Sequence, residues 1–243
     1  EMLRSLVGSE MCIRDRPESE LKASESIVHN AVHFDRGAGL RTNMERHTKE
    51  IKKAANYMRG KKKKNEFEQI ALGAVDTFFR EADEASRNIN SKRFDERFDR
   101  MEQTNELVHG SYNYHNVFLD VGNGGNAVTN FEKCHNDCQV ADLYQFLRKV
   151  MEKHDWNINV AYRLVDEYDR LKPLEDDDID MLVTLLSFPE KFWKIINQYY
   201  NAGKAWVPAK NIDKLKIVIE QNMRRRELID KICCVWSVSY THL

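Results

Sequence analysis

No stretch of about 18 consecutive apolar residues occurs in the 243-residue sequence, which excludes a membrane-spanning helix of ordinary length. An excess of one charge sign is also missing. The formal net charge is -1, from 38 Lys and Arg against 39 Asp and Glu, so no global field draws the chain toward nucleic acid or an acidic membrane. The five cysteines have no framework spacing, which makes a reducing compartment the expectation and not a disulfide-stapled domain. The first 16 residues lack the apolar stretch of a secretory signal, so the sequence predicts synthesis as a cytoplasmic product. Internal repeats and low-complexity tracts are absent as well. What remains, 42% hydrophobic and 32% charged, is the balance of a folded globular chain, long enough for one sizeable core or two small ones.

The two ends read differently from the middle. Leu6 to Arg16 (LVGSEMCIRDR) and Val238 to Leu243 (VSYTHL) resemble translated sequencing-adaptor read-through. Residues 1–16 and 233–243 are therefore expected to be non-native, with the protein proper at 17–232.

Apolar spacing of three and four predicts helices over Leu21 to Val32, Thr42 to Met58 and Glu66 to Ile89. Thr42 or Asn43 is the expected cap of the second. The period then changes. Glu106 to His109, Asn116 to Asp120 and Ala127 to Glu132 read as short strands, the last two separated by Gly122-Asn123-Gly124-Gly125-Asn126. Helical spacing returns over Gln139 to Lys153, Ile158 to Leu171, Asp177 to Leu186, Pro189 to Tyr200 and Lys210 to Lys231, with Asn157 as a cap. The predicted fold is mostly α with a small central β-hairpin region.

Leu107 to Asp120 reads LVHGSYNYHNVFLD. This resembles the catalytic loop of aminoglycoside and choline kinase-like phosphotransferases, whose pattern is histidine, glycine, aspartate, four variable residues, then asparagine. His109, Gly110 and Asn116 match; Ser111 stands where that family has aspartate. About 14 residues beyond Asn116 the family has a metal-binding aspartate before an aromatic residue, and here Asn130 precedes Phe131. Asp142 fits the helix aspartate that buttresses the loop in that family. The resemblance implies the C-terminal lobe of a kinase-like fold. It also implies a strand-rich, ATP-gripping N-terminal lobe, of which nothing is found upstream of Leu21.

The two departures matter chemically. Phosphoryl transfer relies on positioning and charge stabilisation. A serine hydroxyl carries no negative charge near neutral pH, and loss of a general base costs roughly 10²–10⁴-fold in rate. Mg²⁺ prefers carboxylate oxygens, and the Asn130 carbonyl is a weaker, neutral ligand. Neither a catalytic residue nor a cofactor or metal site is therefore expected.

Cys138 to Trp156 (CQVADLYQFLRKVMEKHDW), Phe188 to Pro208 (FPEKFWKIINQYYNAGKAWVP) and Glu45 to Gly60 closely resemble the spore coat protein S family, a kinase-like group of endospore-forming bacteria. That resemblance implies a structural or assembly role in the spore coat, with other coat proteins as partners and neither nucleic acid nor membrane among them. The alternative is a fragment of a small-molecule phosphotransferase lacking its ATP-binding lobe, with His115 replacing the missing base.

Other clusters have plainer readings. Cys134, His135 and Cys138 lack a second ligand pair for structural zinc. His29 and His33 lack the glutamate of a metalloprotease helix. Lys61 to Lys64 reads as a solvated loop. Glu175 to Asp178 with Asp180 reads as helix-start acids favoured by the dipole. Phe188, Phe192, Trp193, Tyr199, Tyr200 and Trp206 read as core packing, with a docking surface as the alternative.

Overall fold

A computed structural model of the chain describes residues 39–121, 125–201 and 209–239. The helix expected over Leu21 to Val32, with His29 and His33, lies outside these, as does Trp206. Helices α1 (Leu40–Gly60) and α2 (Glu66–Ile89) form a packed pair. Along α2 the residues Phe67, Ala71, Val75, Phe78, Ala82, Ala85 and Ile89 are all buried, so one apolar stripe runs its whole length. Asn65 closes the α2 N-terminus with a reciprocal cap: its side chain accepts from the Glu68 amide at 2.9 Å, and Glu68 accepts from the Asn65 amide at 2.9 Å. Glu68 is buried and also takes Lys61 at 2.5 Å and the Tyr199 hydroxyl at 2.7 Å. Of the lysine run, then, Lys62 and Lys63 are solvated as expected, whereas Lys61 folds back as an internal counter-ion.

The α1 start corrects the expected cap. The helix begins at Leu40, after Gly39, without a side-chain cap, and Thr42 and Asn43 lie within its first turn. Tertiary bonding extends it: Arg41 donates to the Ile89 carbonyl at 3.0 Å and pairs with Asp95 at 2.9 Å, which anchors this turn to the far end of α2.

Helix α3 (Asp95–Thr104) follows a 3₁₀ turn at Lys92–Phe94, and no apolar stripe announced it. Its one buried residue is Arg97, which makes a bidentate pair with Glu106 (2.9 and 2.8 Å) and binds Asp178 at 2.8 Å. Burial alone would raise the Glu106 pKa, but Arg97 and the Gln139 amide outweigh it and hold the carboxyl below its usual range. Arg93 pairs with Asp180, and Arg100 with Glu175 and Asp177. The acidic start of α6 (Asp176–Ser187) therefore faces a row of arginines as well as lying at a helix N-terminus.

Among the described residues the β structure comprises two separate antiparallel pairs. Strand β1 (Leu107–Val108) pairs with β4 (His135–Asn136), and β2 (Val117–Val121) with β3 (Gly125–Val128). The third expected strand stops at Val128; Phe131–Lys133 forms a 3₁₀ turn instead. Helices α4 (Val140–Met151), α5 (Ile158–Leu171), α7 (Glu190–Asn201) and α8 (Ala209–Ser239) complete the lobe. Asn157 caps α5, accepting from the Asn159 and Val160 amides. Phe192 of α7 is fully buried and stacks on Phe78 of α2 (centroids 4.1 Å apart), and Phe188 is buried beside it. Tyr200 is exposed and meets Tyr57 edge-on. Among the described residues no helix is long and apolar enough to cross a membrane.

Candidate functional site

Residues 109–116 leave β1 as a loop and return into β2. At its start the chain turns sharply at Gly110, whose φ of +68° is left-handed. A Cβ there would collide with the Lys133 carbonyl and come within 2.9 Å of His135 Nδ1, so glycine is required by space as well as by dihedral.

Asp142, in the first turn of α4, is fully buried beneath this turn. Its Oδ2 accepts from the His109 amide at 2.5 Å and its Oδ1 from the Gly110 amide at 3.1 Å. Burial raises its pKa to about 6, against the downward pull of those two amides.

His109 is buried, and its ring is bonded on both sides. Nδ1 accepts from the Ser111 amide at 3.2 Å, and Nε2–H donates to the Thr129 carbonyl at 2.9 Å. Burial lowers its pKa, so the neutral form with one donor and one acceptor suits the site. This bond draws the end of β3 against the loop. The Thr129 amide donates to the Asn116 carbonyl at 3.0 Å, and the Asn116 side chain donates to the Ser111 carbonyl at 2.8 Å. Asn113 also donates to the Ser111 carbonyl, at 2.7 Å.

His109, Gly110, Ser111, Asn116 and Asp142 are thus gathered into one bonded knot, with Asn130 adjoining it through Thr129. Asn130 is exposed, in a left-handed conformation (φ 71°) that asparagine tolerates. Neither Ser111 nor Asn130 supplies a carboxylate. Two buried acids near the turn are otherwise engaged: Asp142 on the loop amides, and Asp137 on the Cys138 amide (2.8 Å) and beside His135 (3.6 Å). His115 is exposed, its ring against Tyr114. Burial pushes the Cys138 thiol up to about 12 and raises Cys134 as well, so both thiols hold their protons.

Beside the knot opens a cavity of about 410 Å³ that the sequence did not reveal. Ser111, Asn113 and Lys133 line it from the loop side, and Gln145, Arg148 and Lys149 from α4. Glu190 and Lys194 of α7, with Asn43 and His47 of α1, add further polar groups to the wall. The one available signal was the spacing of Ala141, Tyr144, Gln145 and Arg148, which marks a single face of α4.

No protein-family model matches the chain, and no curated protein matches it. Among solved structures, an aminoglycoside phosphotransferase from Alicyclobacillus acidocaldarius superimposes with a TM-score of 0.72 at 16% sequence identity. The fold is an aminoglycoside phosphotransferase-like C-terminal lobe. The match covers 79% of this chain and 57% of that one, so the lobe spans little more than half of that enzyme's length. Likeness at this identity is one of fold. In the phosphotransferase-like lobe described here, the β1-to-β2 connection and the end of β3 carry the bonded knot, and the cavity lies between that knot and α4.

Proposed function

We propose that the protein is a non-catalytic, kinase-like component of the spore coat, acting in coat structure or assembly through contacts with other coat proteins. One observation supports the non-catalytic part. The loop keeps its bonded frame, yet positions 111 and 130 carry a hydroxyl and an amide where transfer chemistry needs carboxylates. The coat assignment rests on the resemblance of the 45–60, 138–156 and 188–208 segments to the spore coat protein S family.

The runner-up is a small-molecule phosphotransferase whose ATP-binding lobe lies outside this chain. The fold likeness to an aminoglycoside phosphotransferase favours it. It needs a substitute base, and His115 is exposed, with its backbone amide bonded to Asn113 and no side-chain acceptor or orienting group among the described residues.

Incubating the full-length gene product with Mg-ATP and a panel of small alcohols, choline and aminoglycosides separates the two. The expected result is no phosphorylated acceptor above the protein-free control by mass spectrometry. Phosphate on any acceptor, absent with heat-inactivated protein, favours the runner-up. The coat role has its own measurement. A tagged full-length copy made in an endospore-forming host is expected in the coat extract of purified spores. Recovery only in the soluble mother-cell fraction would rule that role out.

A further inference from the structure

The cavity beside the loop has a charge pattern unlike that of the chain as a whole. Overall the protein is almost neutral. The cavity wall nevertheless carries Lys133, Arg148, Lys149 and Lys194 against a single carboxylate, Glu190. That carboxylate is fully engaged: it accepts from the Tyr144 hydroxyl at 2.8 Å and pairs with Arg148 and Lys194. Burial would raise the Glu190 pKa, yet those two cations outweigh it and hold the group at about 2, so it stays ionised. Arg148 is also paired with Glu152, which in turn takes Lys191 at 3.0 Å.

Positive charge is therefore left over. Lys133 and Lys149 make no salt bridge among the described residues, Glu152 acting on Lys149 only at longer range, and the buried Arg148 Nε finds no acceptor there. Lys149 is half-buried, and its pKa is lowered first by burial and then by neighbouring Arg148. His47 adds no positive charge: burial and then Arg46 lower it to about 4, and its ring stacks on Trp193 at 3.4 Å. Met44, Leu185 and Phe188 give part of the lining an apolar surface. A concave volume with apolar lining and a few convergent polar groups is the usual form of a small-molecule site.

We propose that this cavity binds a small, multiply charged anion bearing phosphate or carboxylate groups, held by Lys133, Lys149 and Lys194 with Gln145 as a neutral partner. The inference rests on the reading of the cleft as non-catalytic, and it names the class of ligand that a transfer-incompetent cleft still accommodates. The same charges disfavour a polyamine or quaternary-ammonium occupant, because each added positive charge meets uncompensated lysines in a partly desolvated site.

Isothermal titration at constant ionic strength tests it, with pyrophosphate and citrate as anions and choline and kanamycin as cations. Saturable one-site binding of at least one anion is expected, with neither cation binding. Pyrophosphate alone assigns the site to phosphate groups, and citrate alone to carboxylates. Lys149→Gln is expected to weaken the bound anion about tenfold or more, as loss of a charge-assisted hydrogen bond does. Lys133→Gln, at an exposed position where folding is not at stake, is expected to weaken it as well. Lys231→Gln, on the exposed side of α8, is the control and leaves affinity unchanged.

Absence of saturable binding by both anions up to about 10 mM overturns the proposal. So does equal weakening by Lys231→Gln, or preference for either cation. These results are separable from those of the transfer assay. Phosphate transfer would overturn the non-catalytic reading while leaving the titrations standing, and failure to bind would leave the missing carboxylates at 111 and 130 as they are.

Discussion

Asp142→Ala is expected to lower the unfolding free energy by about 4 kcal/mol and to loosen the 109–116 loop. The carboxylate has no exposed surface and accepts from two consecutive amides, His109 at 2.5 Å and Gly110 at 3.1 Å. Alanine leaves both amides facing a void. Each unsatisfied buried donor costs about 1–3 kcal/mol, and the two together give the stated size. Urea denaturation of both proteins measures the difference. Faster hydrogen exchange at His109 and Gly110 is the local readout.

The size of this loss depends on pH, and its direction follows from the raised pKa. Burial lifts the carboxyl from its ordinary 3.8 to about 6. Between those values the folded protein holds a proton that the unfolded chain has released, so folding is favoured there relative to higher pH. The stability linked to this group is complete below the unfolded value and is lost as pH rises through about 6. The gap between wild type and Asp142→Ala is therefore larger at pH 5 than at pH 7. An unchanged unfolding midpoint in the variant, at either pH, would contradict the buttress role.

Gly110→Ala is expected to cost about 3 kcal/mol, from two independent sources. At φ +68° an L-residue pays roughly 1–2 kcal/mol of conformational strain. The new methyl group also meets a backbone carbonyl, that of Lys133, with His135 Nδ1 only 2.9 Å away. A carbonyl in a 3₁₀ turn cannot swing aside as a side-chain tip can, so overpacking of about 1–3 kcal/mol adds to the strain. Thermal unfolding checks the loss. Gly73→Ala is the comparison: that glycine lies in helix α2, where a Cβ meets nothing within 4 Å, so its unfolding temperature is expected to hold or rise.

Elements held by apolar stripes were readable in advance. Glu66–Ile89 and Ile158–Leu171 matched the predicted limits because buried residues recur at helical spacing through their full lengths. Helix α3 was not readable. Its sequence, DERFDRMEQT, buries only Arg97, and the partners that fix it, Glu106 and Asp178, lie 9 and 81 residues away. Strand β4 was missed for a related reason: two residues carry no period, and its pairing with β1 spans the whole loop. The knot itself was legible through the resemblance of residues 109–116 to a phosphotransferase loop, which also implied Asp142, 33 residues from His109, as the buttress. The cavity was not, because Lys133, Lys149 and Lys194 come from a turn and two helices that only the fold brings together.

The knot around Gly110 has one more consequence. Its bonds run through the Asp142 carboxylate, the His109 ring, the Asn116 amide and backbone groups of the loop; the side chains at 111 and 130 contribute none of those described. Frame and reactive positions are therefore mechanically decoupled. Substitutions confined to positions 111 and 130 are expected to leave the shape of the cleft unchanged.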